Sequence, residues 1–238
     1  MSSPSNLACQ QPYLSIVVPV FNEEGGVVTA IDGLRRELPD AEIIIVDDGS
    51  SDRTAERLNV LEGVVIFRHA FNRGYGAALK TGMRRARGHY IAWFDGDGQH
   101  RAEDLVRMVQ RLHDDDLAAI IGQRLHGGAT RTRSFGKLVI RLFAWLMRFR
   151  AGHDLNCGLR VFHRDVILRY VALLPDGFSA SMTSTMIMVE HRYPVAFEPI
   201  SLNPRIGTTK VVLSDGFESL ALVVRMIMLF APLRIFFN

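Results

Sequence analysis

Asp95-Gly96-Asp97-Gly98-Gln99-His100 sets two carboxylates one residue apart, with only glycine between them, directly after the apolar run YIAWF. At a strand end, carboxylates so spaced can converge on one hard cation, with Gln99 adding a neutral oxygen. Magnesium or manganese held by one or two carboxylates usually also binds substrate phosphates. The competing reading of an isolated Asp-x-Asp is a glycine-rich turn whose aspartates bond backbone amides. Two other apolar runs also end in acids, as Pro19-Val20-Phe21-Asn22-Glu23-Glu24 and Asp47-Asp48-Gly49-Ser50-Ser51-Asp52. In that company Asp95, Asp97 and Gln99 read as a metal–diphosphate site. An EF-hand is a poor match, because His100 stands where its loop needs glycine and Val106 where it needs glutamate.

Asp48 can accept hydrogen bonds from a base or a ribose, or it can cap the helix that follows; Asp52 suits the capping role better. Gly74-Tyr75-Gly76-Ala77-Ala78-Leu79 resembles a dinucleotide fingerprint only superficially, since Leu79 replaces the third glycine. Gly74 and Gly76 are instead expected to let a helix start close to a nucleotide pocket. Arg205-Ile206-Gly207-Thr208-Thr209-Lys210 offers two cations and two hydroxyls on a loop, a set suited to a diphosphate and equally to a solvated basic surface. No GxSxG elbow or HExxH pair is present, which argues against esterase and zinc-protease chemistry.

Elements that would carry these residues follow from the apolar pattern. Strands are expected at Leu14–Val20, 42–46, 64–67, 90–94 and 117–121, β-branched and nearly continuously apolar, as strands covered on both faces are. Helices are expected at 24–38, 52–61, 76–87 and 103–112, with Asp52 as an N-cap and Gly88 as a stop. Alternation of this kind implies βαβ units and a mostly parallel sheet, with ligands beyond the carboxyl ends of its strands. Further on, the pattern predicts helices over 135–149 and 164–174, a loop over 154–160, a strand over 195–202 and a loop over 203–210.

Composition sets the limits. The chain has 238 residues, 48% hydrophobic and 22% charged, enough for a sizeable core. Cys9 and Cys157 cannot build a disulfide framework, and no Cys/His spacing suggests zinc. The net charge of +3 is too small to imply nucleic acid. Residues 1–12 are polar, lack the features of a secretory leader, and are expected to be loosely ordered. The charge is unevenly spread: no acid occurs from Leu117 to His153, while Arg124, Arg131, Arg133, Lys137, Arg141, Arg148 and Arg150 do. From Leu220 to Phe237 the chain is acid-free and apolar, yet Arg225, Pro232 and Arg234 make it a poor transmembrane helix by itself.

Taken in order, SIVVPVFNEE, IIIVDDGSSDRT, HAFNRGYGAALKTG, YIAWFDGDGQH, IIGQR, DLNCGLR and NPRIGTTK resemble the nucleotide-sugar-dependent glycosyltransferases of the GT-A fold. The likeness is to the dolichyl- or polyprenyl-phosphate mannose and glucose synthases, an inverting group, and it spans Leu14 to Lys210. It implies an α/β GT-A catalytic domain over 13–212 and an apolar, basic, membrane-proximal helical segment over 213–238. Pro19, Glu23 and Asp48 would then hold base and ribose. Asp95, Asp97 and Gln99 would hold Mg2+ or Mn2+ on the diphosphate, with Asp97 serving catalysis, and Arg205 and Lys210 would close over it. Arg124 with Arg131 or Arg133 would meet the acceptor phosphate, and Asp154 would lie near the reaction centre. The sequence departs from such relatives at 179–185 (SASMTST), where an acidic residue is expected in a helix.

The resemblance thus implies a metal-dependent hexosyltransferase that moves sugar from a GDP or UDP donor to a polyprenyl monophosphate. It would act at the cytoplasmic face of a membrane, with homo-oligomers left open. Basic residues near an anionic leaflet contribute roughly 1 kcal/mol each, so the basic stretch would hold the enzyme at the surface. A phosphate monoester is largely ionised at pH 7 and hardly needs a general base, so Asp154 is expected to orient an arginine rather than take a proton. The alternatives are a soluble GT-A transferase that extends a glycan and a noncatalytic nucleotide-sugar sensor.

Overall fold

The computed structural model describes residues 13–124 and 154–204. The expected helix over 135–149, the segments 1–12 and 213–238, and Arg131, Arg133, Arg205 and Lys210 lie outside the described residues.

Seven strands form one sheet in the order β3-β2-β1-β4-β6-β5-β7. They are β1 (Leu14–Val20), β2 (Glu42–Asp47), β3 (Val65–Arg68), β4 (Tyr90–Trp93), β5 (Ala119–Arg124), β6 (Arg160–His163) and β7 (Val195–Ile200). β1 pairs parallel with β2 and β4, and β2 parallel with β3. β6 runs antiparallel to both β4 and β5, whereas β5 and β7 are parallel. One reversed strand therefore sits in an otherwise parallel sheet, as the alternating pattern implies.

Period-two alternation splits the core between the two faces of the sheet. Leu14, Ile16, Val18 and Val20 pack on one face with Ile43 and Ile45, under α1 (Val27–Glu37) and α4 (Ala102–Asp114). α1 presents Val27, Ala30, Ile31 and Leu34 to that face, and α4 presents Leu105, Met108, Val109 and Leu112, both at helical spacing. Val17, Ile44, Val46, Trp93 and Phe162 pack on the opposite face. They lie beneath α3 (Tyr75–Met83), α5 (Arg164–Arg169) and α6 (Ala180–Glu190), while α2 (Thr54–Asn59) follows β2. Each fully buried Ile or Leu contributes about 1.5–3 kcal/mol.

Four expectations need correction. β3 is an edge strand, with Val65 and Ile66 exposed, so it is not covered on both faces. The helix expected over 164–174 ends at Arg169 and continues as a 3₁₀ turn, Val171–Leu173, because Leu174 precedes Pro175 and is extended. Gly88 does not stop α3, which ends at Met83; a Cβ there would lie 2.5 Å from the Ser15 nitrogen, so it is a close-packing position against β1. Finally, the end of the expected loop over 154–160 is the start of β6, a four-residue strand too short to register as a period.

Candidate active site

The chain runs β1 to β2 to β3 in one direction across the sheet and then returns to place β4 on the other side of β1. The crevice outside the carboxyl ends of β1 and β4 is thus the topological switch point, where open α/β sheets bind ligands. Asn22, Glu23, Asp95 and Asp97 all follow these two strands. A Cβ on Gly26 would lie 2.7 Å from the Asp97 carbonyl carbon, so only glycine lets the start of α1 approach the Asp97 turn.

Asp95 is held from two sides. The Tyr75 hydroxyl donates to its Oδ1 at 2.9 Å, and His100 Nε2 contacts its Oδ2 at 3.0 Å. Burial pushes this carboxyl up, but the hydrogen bond and charge of His100 and the Tyr75 hydroxyl outweigh it, leaving the pKa below the ordinary value. Burial, reinforced by the Asp95 charge, drives the Tyr75 phenol well above its usual value, so it remains a donor. On the third side, a Cβ on Gly158 would lie 2.1 Å from Asp95 Oδ2. Asp97 Oδ1 accepts the Gln99 N–H at 3.0 Å in a tight turn. No ready-made group of three or more His, Cys, Asp or Glu ligands occurs among the described residues. What β4 presents is two carboxylates, one held ionised, and an amide, an all-oxygen set that suits a hard divalent cation completed by substrate oxygens.

The β1 and β2 loops are sewn together. Asn22, at a positive φ of 53°, accepts the Ser51 N–H at 2.7 Å through its side chain and donates its own N–H to Ser50 Oγ at 2.9 Å. The Glu23 N–H donates to Thr54 Oγ1 at 2.8 Å. Pro19 is buried near the end of β1, and Glu23 is half-buried in the loop after it. Asp52 Oδ1 accepts the N–H of Thr54, the first residue of α2, at 2.9 Å.

Asp48 is buried and fully engaged. Its Oδ1 meets His69 Nδ1 at 2.6 Å and the Arg73 N–H at 2.9 Å, and its Oδ2 accepts the Gly74 N–H at 2.8 Å. It neither caps α2 nor stands alone; it fixes the 69–74 turn. A cavity of about 320 Å³ adjoins this turn, lined by Gly49, Ser50, Arg68, His69 and Ala70. Gly74 and Gly76 flank Tyr75, the first residue of α3, close to Asp48 and Asp95. Cβ atoms there would lie 2.5 Å from the Asp176 carbonyl oxygen and 2.1 Å from that of Pro175, so they seat the 175–178 loop. Phe178 of that loop is exposed and stacks on Tyr75 at 5.3 Å.

Arg124, the last residue of β5, forms a two-pronged pair with Asp154: Nη2 donates to Oδ1 at 2.9 Å and Nε donates to Oδ2. Burial raises the Asp154 pKa, but the hydrogen bonds and charge of Arg124 more than reverse this and hold it below the ordinary carboxylate value. Tyr75, His100, Arg160, Gly26 and Gly158 belong to the site and are absent from the candidates read in the sequence. Tyr75 lies within HAFNRGYGAALKTG, His100 within YIAWFDGDGQH, and Gly158 and Arg160 within DLNCGLR, whereas Gly26 lies in none of these motifs.

Acid-tipped strands flank the switch point of a mostly parallel sheet, and the fold is GT-A-like. The chain belongs to glycosyl transferase family 2, whose pattern matches residues 15–171. It is 31% identical to dodecaprenyl-phosphate galacturonate synthase of Rhizobium johnstonii over 68% of this chain and 51% of that protein. It is 31% identical to dolichyl-phosphate beta-glucosyltransferase of Drosophila melanogaster over 63% of this chain and 54% of that protein. The chain thus spans about half the length of these curated relatives. The fold is similar to that of glucosyl-3-phosphoglycerate synthase from Mycobacterium tuberculosis, solved with Mn2+, UDP and phosphoglyceric acid. That TM-score is 0.73 at 18% identity, covering 92% of this chain and 78% of the other. No helix among the described residues is long and apolar enough to cross a membrane.

Proposed function

We propose that the protein transfers a hexose from a nucleoside-diphosphate sugar to a polyprenyl monophosphate, with inversion, at a membrane surface. The observation that carries this reading is the placement of the Asp95–Gln99 turn and the Arg124–Asp154 pair at strand ends of the same sheet. One is an anionic oxygen-donor set, and the other a guanidinium whose Nε–Nη2 edge is held by the Asp154 carboxylate. Two relatives named for lipid-phosphate acceptors support the choice of acceptor.

In this reading Asp95, Asp97 and Gln99 hold a magnesium or manganese ion. When bound, that ion neutralises charge on the departing nucleoside diphosphate. Tyr75 and His100 fix the Asp95 carboxylate before substrate arrives, so little reorganisation is needed during reaction. Pro19 and Glu23 border the nucleoside end, and Asp48 supports it by holding the 69–74 turn beside the 320 Å³ cavity. Arg205 and Lys210 are assigned to the diphosphate, and Arg131 or Arg133 to the acceptor beside Arg124. Asp154 remains ionised and orients the Arg124 fork toward phosphate oxygens, a geometry that guanidinium matches and ammonium does not. An anionic phosphate oxygen attacks the anomeric carbon from the face opposite the diphosphate, with no proton to remove.

The test is to incubate the protein with radiolabelled GDP-mannose or UDP-glucose, polyprenyl phosphate and Mg2+ or Mn2+, and to extract with organic solvent. Label should enter the lipid phase with at least one donor and only with a divalent ion. Turnover of donor onto a water-soluble glycan alone would favour glycan extension, and binding without turnover a sensor.

A further inference from the structure

Arg160 opens β6 and is fully buried, yet its four hydrogen bonds among the described residues go to neutral acceptors. Nε donates to the Cys157 carbonyl at 2.7 Å and Nη2 to the Leu155 carbonyl at 2.6 Å. Nη1 donates to Ser184 Oγ at 3.1 Å and Thr185 Oγ1 at 2.6 Å, both on α6. The two hydroxyls spend their own protons on the Ser181 carbonyl, at 2.9 and 3.3 Å, which frees their lone pairs to face the guanidinium. Burial lowers the Arg160 pKa to about 10, so the group stays charged at neutral pH. A buried cation is costly unless its donors are satisfied, and here two of the four acceptors come from the SASMTST segment that lacks the expected acid.

The two carbonyls that Arg160 grips belong to the short loop carrying Asp154 at its start and Gly158 near its end. Asp95, beside Gly158, has independent restraints in Tyr75 and His100. The described side-chain partners of Asp154 are Arg124 and the Asn156 N–H of its own loop. Loosening the loop therefore acts mainly on Asp154 and, through it, on Arg124.

We propose that Arg160 is a positioning residue for the acceptor side of the site: its buried fork, held by the Ser184 and Thr185 hydroxyls, clamps the Leu155 and Cys157 carbonyls and so fixes the direction in which Asp154 aims Arg124. The proposal rests on the lipid-phosphate reading for its kinetic consequence, though not for the clamp itself. Thr185→Val keeps size and removes one acceptor, whereas Thr185→Ser keeps the hydroxyl.

The experiment compares these variants with the wild-type full chain by hydrogen exchange across 154–159, by calorimetry of UDP or GDP with Mn2+, and by kinetics with polyprenyl phosphate varied. Thr185→Val should exchange faster in that segment and lose about tenfold in kcat/KM for the lipid, with nucleotide affinity within about twofold of wild type. Thr185→Ser should restore both. Unchanged exchange in Thr185→Val, a parallel fall in nucleotide affinity, or a serine variant no better than valine would each overturn the clamp. If the wild type makes no lipid product, the lipid reading fails, and the exchange comparison still supports or overturns the clamp.

Discussion

Gly158 sits so close to Asp95 that a single added methyl would lie 2.1 Å from the carboxylate Oδ2 and 2.7 Å from Cγ. The carboxylate cannot swing aside freely, because Tyr75 and His100 hold its two oxygens. Gly158→Ala is therefore expected to displace Asp95 and weaken Mn2+-dependent nucleotide binding by about tenfold or more, the scale of a lost contact to a charged group. Calorimetry of UDP and GDP with and without Mn2+ checks this, with circular dichroism confirming a folded protein. Wild-type affinity in a folded Gly158→Ala protein would remove Asp95 from the cation site.

Asp97→Ala should abolish the metal-dependent part of nucleotide affinity while leaving the fold intact, since Asp97 is only half-buried in its turn. The same titration reads the result. Metal-independent binding in the wild type would contradict the assignment of Asp95, Asp97 and Gln99.

Asp48 gives a different signature, because its carboxylate has three described partners in the 69–74 turn. Asp48→Ala leaves the Arg73 and Gly74 amides without that acceptor and should cost about 1–3 kcal/mol of stability as well as donor affinity. Urea denaturation beside donor titration separates the two effects. Lost affinity at unchanged stability would make Asp48 a direct ligand contact rather than the support of a turn.

The pH dependence distinguishes an orienting carboxylate from a base. With its pKa lowered by Arg124, Asp154 loses its charge only as pH falls below the ordinary carboxylate range, so its ion pair is intact at every pH above that. The acid limb of kcat/KM for the lipid should then follow the acceptor phosphate, near a pKa of about 6. Asp154→Asn should lower the rate without moving that limb. Loss of the limb in Asp154→Asn would make Asp154 a general base.

Much of the scaffold is legible in the sequence for a simple reason. In β1 and β2 every second residue faces the same helix layer, and the acids that end β2 and follow β1 and β4 interrupt those apolar runs at the strands' carboxyl ends. The parts that escape are set by tertiary closure. Tyr75 gives no hint of its carboxylate partner until α3 packs across β1 and β2, and His100 none until its ring meets Asp95. The packing role of Gly74 and Gly76 escapes because the 175–178 loop seated against them lies about a hundred residues later. Arg160 looks like the end of a loop, since a charged residue at the start of a four-residue strand breaks no visible period.

The proposed nucleophile is a phosphate oxygen delivered to Arg124. The direct measurement is initial rate with one radiolabelled donor and three acceptors in parallel: a polyprenyl phosphate, the matching polyprenol without phosphate, and a neutral oligosaccharide. Divalent-dependent label is expected in the extracted lipid with the phosphate alone, and a fall of about tenfold or more in its kcat/KM in Arg124→Ala, only partly recovered by Arg124→Lys. Transfer to the polyprenol or the oligosaccharide at a comparable rate, or an Arg124→Ala protein with unchanged lipid kinetics, would contradict this proposal.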